Sequence, residues 1–148
     1  MRSNITLPPR QLALAVGAVA LGGAVGTLLR DFLLRIHPVE RQGWIAYAPP
    51  QTSWTQHVPW VLLAMNVVGV YAATWLLRGV LRHHDPNDPT RALVITGLLG
   101  GLTSYSGLFV DLAAVWHRSV AGGVLVAVGA VLAGVAAAAL GLRGHRHR

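Results

Sequence analysis

Four apolar stretches, each long enough to cross a bilayer as a helix, dominate this sequence. A membrane-crossing helix needs about 20 predominantly apolar residues, and such stretches run over residues 11–34, 59–81, 91–115 and 119–142. Only 11% of the residues are charged, against about 25% in soluble domains. The sequence therefore predicts an all-α membrane protein, with residues 1–148 forming one membrane domain of four transmembrane helices.

The third stretch contains a segment that disfavours a continuous helix. Residues 97–109 include four glycines and the hydroxyl side chains of Thr103, Ser104 and Ser106. A glycine costs about 1 kcal/mol relative to alanine in a helix interior, and non-helical backbone at membrane depth needs protein or a water-filled cavity to satisfy its polar groups. The segment predicts a third helix that is broken in mid-membrane, a feature that often marks an ion or substrate site.

The connections between the stretches are polar or interfacial. The first, residues 35–58, carries Trp44, Tyr47 and Trp54 and is predicted to lie at the headgroup level, where amphipathic rings are favoured. Thr90 is the expected N-cap of the third helix. The tail 143–148 is rich in arginine and histidine and is predicted to bind lipid headgroups.

The arginines predict the orientation in the membrane. All twelve basic residues are arginines, and if both termini lie on one side, that side holds eight of them and the other side four. The eight are Arg2, Arg10, Arg78, Arg82, Arg91, Arg143, Arg146 and Arg148, and the four are Arg30, Arg35, Arg41 and Arg118. The positive-inside rule then places both termini in the cytoplasm. Because these arginines cluster at the ends of apolar stretches, the expected partner is the lipid bilayer and not nucleic acid.

Three motifs occur in order along the first three stretches. Residues 22–30 (GGAVGTLLR) resemble the GGxxGAxxR signature of the Fluc fluoride-channel family, also called CrcB. Residues 66–71 (NVVGVY) resemble its NxxGxF motif, and residues 100–106 (GGLTSYS) its GGLTTFS motif. The resemblance covers most of the chain. It implies a passive, fluoride-selective channel subunit in the cell membrane of a prokaryote, which exports fluoride down its gradient and relieves fluoride toxicity.

The resemblance also implies an antiparallel, inverted dimer with two fluoride pathways and a structural sodium ion between the two broken third helices. The backbone carbonyls of Gly100 and Thr103 match the sodium ligands of the family, and a hard cation does prefer oxygen ligands. A branched side chain at Gly100 is expected to crowd the broken backbone. The alternative is that the glycines only permit close helix packing.

Several further residues match the fluoride pathway of the family. Asn66 matches a pore-lining asparagine, and its NH2 group is a donor suited to an anion that is losing its water; the alternative is an interhelical hydrogen bond. Thr103 and Ser106 belong to the polar track of the third helix. Arg30 matches an arginine near a vestibule, where it would attract anions, although a snorkelling anchor at a helix end is an equal alternative.

The chain also departs from the family. Fluc channels carry two phenylalanines three residues apart in the third helix, whose positive ring edges can face fluoride. Here Tyr105 and Leu108 stand at those positions, and Phe109 follows one place later. Leu62 replaces a frequent threonine, and the fourth stretch has no polar side chain after Ser119. Part of the polar track is therefore missing.

These losses and the arginine bias favour a heterodimer with a second Fluc-like subunit. In an antiparallel homodimer one sequence inserts both ways, so its arginine bias should be near zero. A homodimer stays open, because counts over short loops sometimes mislead and Arg30 could lie within the membrane.

Two other functions stay open. A small multidrug-type proton-coupled exporter would need a membrane-embedded carboxylate. The acids are Asp31, Glu40, Asp85 and Asp88 at helix ends or in loops, and Asp111 near the exit of its span. The other alternative is a non-conducting structural membrane subunit. An enzyme is not expected, because Ser104 and Ser106 have no histidine nearby in sequence to act as a base.

Overall fold

The computed structural model describes residues 8–36, 54–83, 85 and 88–143. Four helical spans in these ranges are long and apolar enough to cross a membrane: Pro9–Arg35, Trp60–Arg78, Pro89–Arg118 and Val120–Arg143. The prediction of four long apolar helices is therefore confirmed, and the described residues fit an all-α membrane protein. Most of the first connection and of the C-terminal tail lies outside the described residues, as do the predictions made for residues 37–53 and 144–148.

The spans pack as two pairs of parallel helices. The first helix runs beside the opening part of the third span, with Gly22 against Leu93 and Gly26 against Leu98. The second helix runs beside the fourth, where Gly141 lies against Thr74. Parallel pairing follows from the topology, because alternate spans of a chain cross the membrane in the same direction. The two pairs meet where the second and fourth helices pack against the part of the third span that ends at Arg118.

The first pair is held at backbone-to-backbone distance. A Cβ atom added at Gly22 would overlap the carbonyl oxygen of Leu93, so only glycine permits this approach. Close packing through small residues is a main source of helix association in lipid, where no hydrophobic force drives helices together. Part of the glycine content therefore serves packing within the chain.

Replacing Gly22 with alanine should lower the free energy of unfolding by about 1–3 kcal/mol, the usual cost of overpacking. Gly17 is the matched control, since a Cβ there meets no atom within 4 Å. Gly17→Ala should leave stability unchanged or raise it by up to about 1 kcal/mol through helix propensity. Thermal unfolding in detergent micelles measures both, and equal stabilities of the two variants would contradict the packing assignment.

The N-cap of the third span is not the residue that the sequence predicted. Asp88, and not Thr90, is the N-cap: its side-chain Oδ1 accepts a hydrogen bond from the Thr90 backbone N–H at 2.7 Å. Pro89 follows as the first helical residue, a position where the missing N–H and fixed φ of proline suit the helix. Thr90 was the wrong choice because the cap must precede that proline.

The third span is also irregular along its length. One α-helical turn, Pro89–Arg91, leads into a π-helix over Ala92–Leu99 and a second short α-helical turn over Gly100–Leu102. Two residues in extended conformation follow, and an α-helix then runs over Tyr105–Arg118. Within this span the described backbone is therefore non-helical at one place, Thr103 and Ser104.

Candidate ion pathway

The interruption of the third span lies at Thr103 and Ser104. Thr103 has φ −85° and ψ 140°, and Ser104 has φ −144° and ψ 103°. Both are ordinary extended values, so the interruption needs no left-handed residue. It is instead held by side-chain hydrogen bonds from its own residues and from the second helix.

In two of these bonds a backbone N–H group donates to a side-chain oxygen and not to a helical carbonyl. The Ser104 N–H donates to Asn66 Oδ1 at 3.0 Å, and the Gly107 N–H donates to Ser104 Oγ at 3.1 Å. In a continuous α-helix these two N–H groups would donate to the carbonyls of Gly100 and Thr103, four residues earlier. Neither carbonyl therefore receives its usual helical donor. These are the two carbonyls that the sequence matched to sodium ligands.

The second helix supports the interruption through two residues on one face. Asn66 and Gly69 are three residues apart and so project from the same side of the helix. Asn66 binds the Ser104 backbone, and the Thr103 methyl group occupies the space that a side chain at Gly69 would need. The Thr103 hydroxyl donates to the Leu99 carbonyl at 2.8 Å. The sequence did not predict this pairing of motifs, although the spacing of Asn66 and Gly69 is its visible signal.

Gly100 lies on the outside of this arrangement. The residue is exposed in the single chain, and the nearest atom to an added Cβ is the Ile95 carbonyl oxygen at 4.0 Å. The expectation that a side chain at Gly100 would crowd the broken backbone is therefore wrong for the chain by itself. The reason is that Gly100 faces outward, whereas a Cβ atom added at Gly101, the next position, would lie 2.5 Å from the Gly23 carbonyl oxygen.

Asn66 carries an unusual buried donor. The residue is 7% exposed, and its Nδ2 atom has no hydrogen-bond partner within the part of the chain that the structure describes. Its orientation is not arbitrary, because the Ser104 N–H can bond only to the amide oxygen. A buried amide donor left without a partner costs about 1–3 kcal/mol. Such a group is a candidate binding point for an anion.

Asn66 also lines a cavity of about 90 Å³ between the second helix, the third span and the fourth helix. The other lining side chains are apolar, and they include Leu108, Phe109, Val126 and Ala130. Leu108 is 6% exposed, and it stands at the second of the two positions that the sequence matched to phenylalanines. The fourth helix contributes no polar side chain to this cavity. Asn66 is thus the one polar side chain among the described residues that line this cavity.

A second, larger cavity of about 520 Å³ opens beside the interruption and is called the vestibule here. Arg30, Ser104 and Ser106 line it, and Arg30 is half-buried. The Oγ atoms of Ser104 and Ser106 lie 3.3 Å apart. The vestibule is lined by Arg30, Asp31, Leu34, Arg35, Leu62, Ser104, Ser106, Gly107, Val110 and Asp111. The structure therefore brings Arg30 and Ser106 together.

The charges of the vestibule are mixed. Arg35 Nε contacts Asp31 Oδ2 at 2.6 Å, one helical turn apart, and both side chains are more than half exposed. An exposed pair of this kind contributes little to stability. Arg30 is less exposed than either residue of this pair.

The polar groups are discontinuous between the two cavities. Leu62 is 3% exposed and lines the vestibule, while Leu108 lines the cavity at Asn66. Ser104 connects the two regions, because it lines the vestibule and its N–H binds Asn66. Tyr105 begins the helix after the interruption, and its side chain lies outside the described part of the structure.

Comparison with known proteins agrees with the three motifs. The family profile described as "CrcB-like protein, Camphor Resistance (CrcB)" matches residues 17–142. The "Fluoride-specific ion channel FluC 1" of Cutibacterium acnes is 36% identical over 129 residues, which cover 84% of this chain and 78% of that protein. The "Fluoride-specific ion channel FluC" of Rhizobium johnstonii is 33% identical, with 80% of this chain and 90% of that protein covered.

A third relative gives the same result. The "Fluoride-specific ion channel FluC" of a Chelativorans species is 33% identical over 124 residues, which cover 84% of this chain and 86% of that protein. These relatives are named as ion channels, which confirms the expectation that the chain is not an enzyme. Since the profile reaches into all four spans and these relatives cover 80% or more of the chain, the chain belongs to the CrcB family.

Proposed function

We propose that this chain is a subunit of a passive, fluoride-selective channel that lets fluoride leave the cell down its gradient. The observation that carries the proposal is the Asn66 Nδ2 atom, a buried donor without a partner among the described residues, on the wall of an otherwise apolar cavity. A dehydrating anion is the natural partner of such a donor, because an unsatisfied ion in apolar surroundings costs several kcal/mol. The names of the relatives supply the identity of the anion.

The proposed pathway runs from the vestibule to the cavity at Asn66. Arg30 attracts the anion by its charge, which acts over a long range at the mouth of a low-dielectric cleft. The hydroxyl groups of Ser104 and Ser106 then replace part of its water, since a hydroxyl can turn to donate. Beyond Ser104, the NH2 group of Asn66 donates the next hydrogen bond to the anion. The apolar stretch at Leu62 and Leu108 makes the pathway on this chain poorer in donors than the family pattern.

The proposal includes a structural sodium ion bound by the carbonyls of Gly100 and Thr103. Support comes from the redirected Ser104 and Gly107 N–H groups, which leave both carbonyls without their α-helical donors. A hard cation prefers such oxygen ligands. One chain offers only two, and Gly100 is exposed, so a second, inverted subunit would complete the set. The sodium ion would then hold two interrupted third spans together.

The arginines of the described helices support a fixed orientation and hence a heterodimer. Helix ends on one side carry Arg10, Arg78, Arg91 and Arg143, together with Arg82 in the following turn, while the other side carries Arg30, Arg35 and Arg118. A chain of this bias is favoured to insert with both termini in the cytoplasm. An inverted second Fluc-like chain of opposite bias would complete the antiparallel dimer.

Liposome flux tests the activity. Purified dimer, reconstituted into vesicles loaded with potassium fluoride, should release fluoride when valinomycin allows potassium to leave, and a fluoride electrode measures the release. Vesicles without protein set the background. Release no faster than this background, from a dimer that is correctly assembled, would contradict the channel.

The same vesicles distinguish the alternatives. Uptake of a cationic drug driven by a proton gradient would indicate an exporter, and no flux of either kind would indicate a structural subunit. No carboxylate lines the cavity at Asn66 in the described part of the chain, although Asp31 and Asp111 line the vestibule. Proton coupling needs a carboxylate embedded in the membrane, and the described residues place none in the cavity at Asn66, so passive fluoride flux is the expected result.

A further inference from the structure

Three arginines converge at the opposite end of the molecule from the vestibule. Arg78 ends the second helix, Arg82 lies in the turn that follows, and Arg91 stands in the first turn of the third span. Together with Leu77 and Leu81 they line a cavity of about 490 Å³. The proposed fluoride pathway does not use this cavity, because it shares no lining residue with the vestibule or with the cavity at Asn66.

The lining combines strong positive charge with an apolar wall. Arg78 and Arg82 are exposed and Arg91 is half-buried, whereas Leu81 is 3% exposed. No carboxylate lines the cavity in the described residues; the nearest acids along the chain are Asp85 and Asp88, and Asp88 caps the third span. Each guanidinium group carries a positive charge. Three of them around one cavity repel each other unless an anion lies between them.

We infer that this cavity binds the phosphate group of an anionic phospholipid. Guanidinium groups bind phosphate oxygens through paired hydrogen bonds, and basic pockets between transmembrane helices are suited to acidic headgroups. The position at the ends of two membrane spans puts the cavity at headgroup depth. Leu77, which is half-buried, provides an apolar surface beside the charges. This surface suits the glycerol and upper acyl portion of a lipid and offers nothing to inorganic phosphate.

Native mass spectrometry of the protein in detergent with added lipid tests the inference. Phosphatidylglycerol should remain bound in preference to phosphatidylcholine. Arg91→Gln and Arg78→Gln should each weaken phosphatidylglycerol binding about fivefold, the effect expected for one arginine at an anionic membrane surface. Arg143→Gln is the matched control, because Arg143 ends the fourth helix on the same side but does not line the cavity. It should bind the lipid as the unchanged protein does.

Three outcomes would overturn the inference. Equal weakening by Arg143→Gln would indicate general attraction to a positive surface without a site. No preference for phosphatidylglycerol over phosphatidylcholine would exclude an anionic headgroup. Displacement of the lipid by millimolar inorganic phosphate at constant ionic strength would reassign the cavity to a free anion. Size-exclusion profiles of all three variants establish that each is folded and assembled before binding is compared.

Discussion

Replacing Asn66 with aspartate is expected to reduce fluoride conduction through the pathway that Asn66 lines by about tenfold or more, the value of a hydrogen bond to an ion. Aspartate has the same shape and keeps an acceptor for the Ser104 N–H, which Asn66 Oδ1 now binds at 3.0 Å. It removes the NH2 donor and places a carboxyl group in the cavity. Single-channel recording and fluoride efflux from liposomes measure the change at neutral pH.

Asn66→Leu is the companion variant, because leucine removes the acceptor as well as the donor. If Asn66 only holds the interruption through Ser104, the leucine variant should lose dimer assembly as well as conduction, whereas the aspartate variant should stay assembled because it keeps the acceptor for the Ser104 N–H. If the NH2 group of Asn66 binds the anion, both variants should lose fluoride conduction. Normal conduction by Asn66→Asp would therefore contradict the role of the donor while leaving the structural role intact.

The same recordings test the heterodimer. With a second Fluc-like subunit, Asn66→Asp in this chain should impair at most one of the two pathways, and the matching change in the partner should have an unequal effect. The reason is that Leu62, Leu108 and an apolar fourth helix give this chain a weaker polar track. Two equivalent pores in recordings of this chain alone, each responding equally to Asn66→Asp, would restore a symmetric homodimer.

The four spans were predictable because length and apolarity alone decide whether a helix can cross a bilayer. The pairing of the spans was not. Gly22 meets Leu93 and Gly141 meets Thr74 through close backbone approaches, and a glycine in the sequence does not show which partner it approaches. The sequence therefore indicated that the glycines matter for packing or for a site, but not which glycine does which.

In the candidate site, too, some features were predictable from the sequence and others were not. The chemistry of Asn66 was predictable, because an amide inside an apolar span must find partners. Its bond to the Ser104 backbone was not, because it joins residues 38 positions apart. The cap of the third span was misassigned within a single turn: both Asp88 and Thr90 are good capping residues, and the position of Pro89 decides between them. Gly100 and Gly101 look alike in the sequence, yet only Gly101 is packed against the first helix.

Replacing Gly100 with valine is expected to abolish dimer assembly and its dependence on sodium. Within the chain the substitution is tolerated, because Gly100 is exposed, has helical φ and ψ of −64° and −37°, and has no neighbour closer than 4.0 Å to an added Cβ. Any large effect must therefore come from contacts outside the chain. A branched side chain beside the Gly100 carbonyl would hold an inverted subunit away from the proposed sodium ion.

Gly129→Val is the matched control, because Gly129 is an exposed helical glycine of the fourth helix with no atom within 4 Å of an added Cβ, and it lines no described cavity. Both variants carry the same loss of backbone freedom and the same β-branched side chain. Cross-linking and thermal unfolding, each in sodium and in a sodium-free buffer with a large organic cation, measure assembly and its sodium dependence. Gly129→Val should behave as the unchanged chain. If Gly100→Val also keeps its dimer, its fluoride flux and its response to sodium, then the Gly100 carbonyl does not bind the ion, and the interruption at Thr103 and Ser104 serves the fluoride pathway alone.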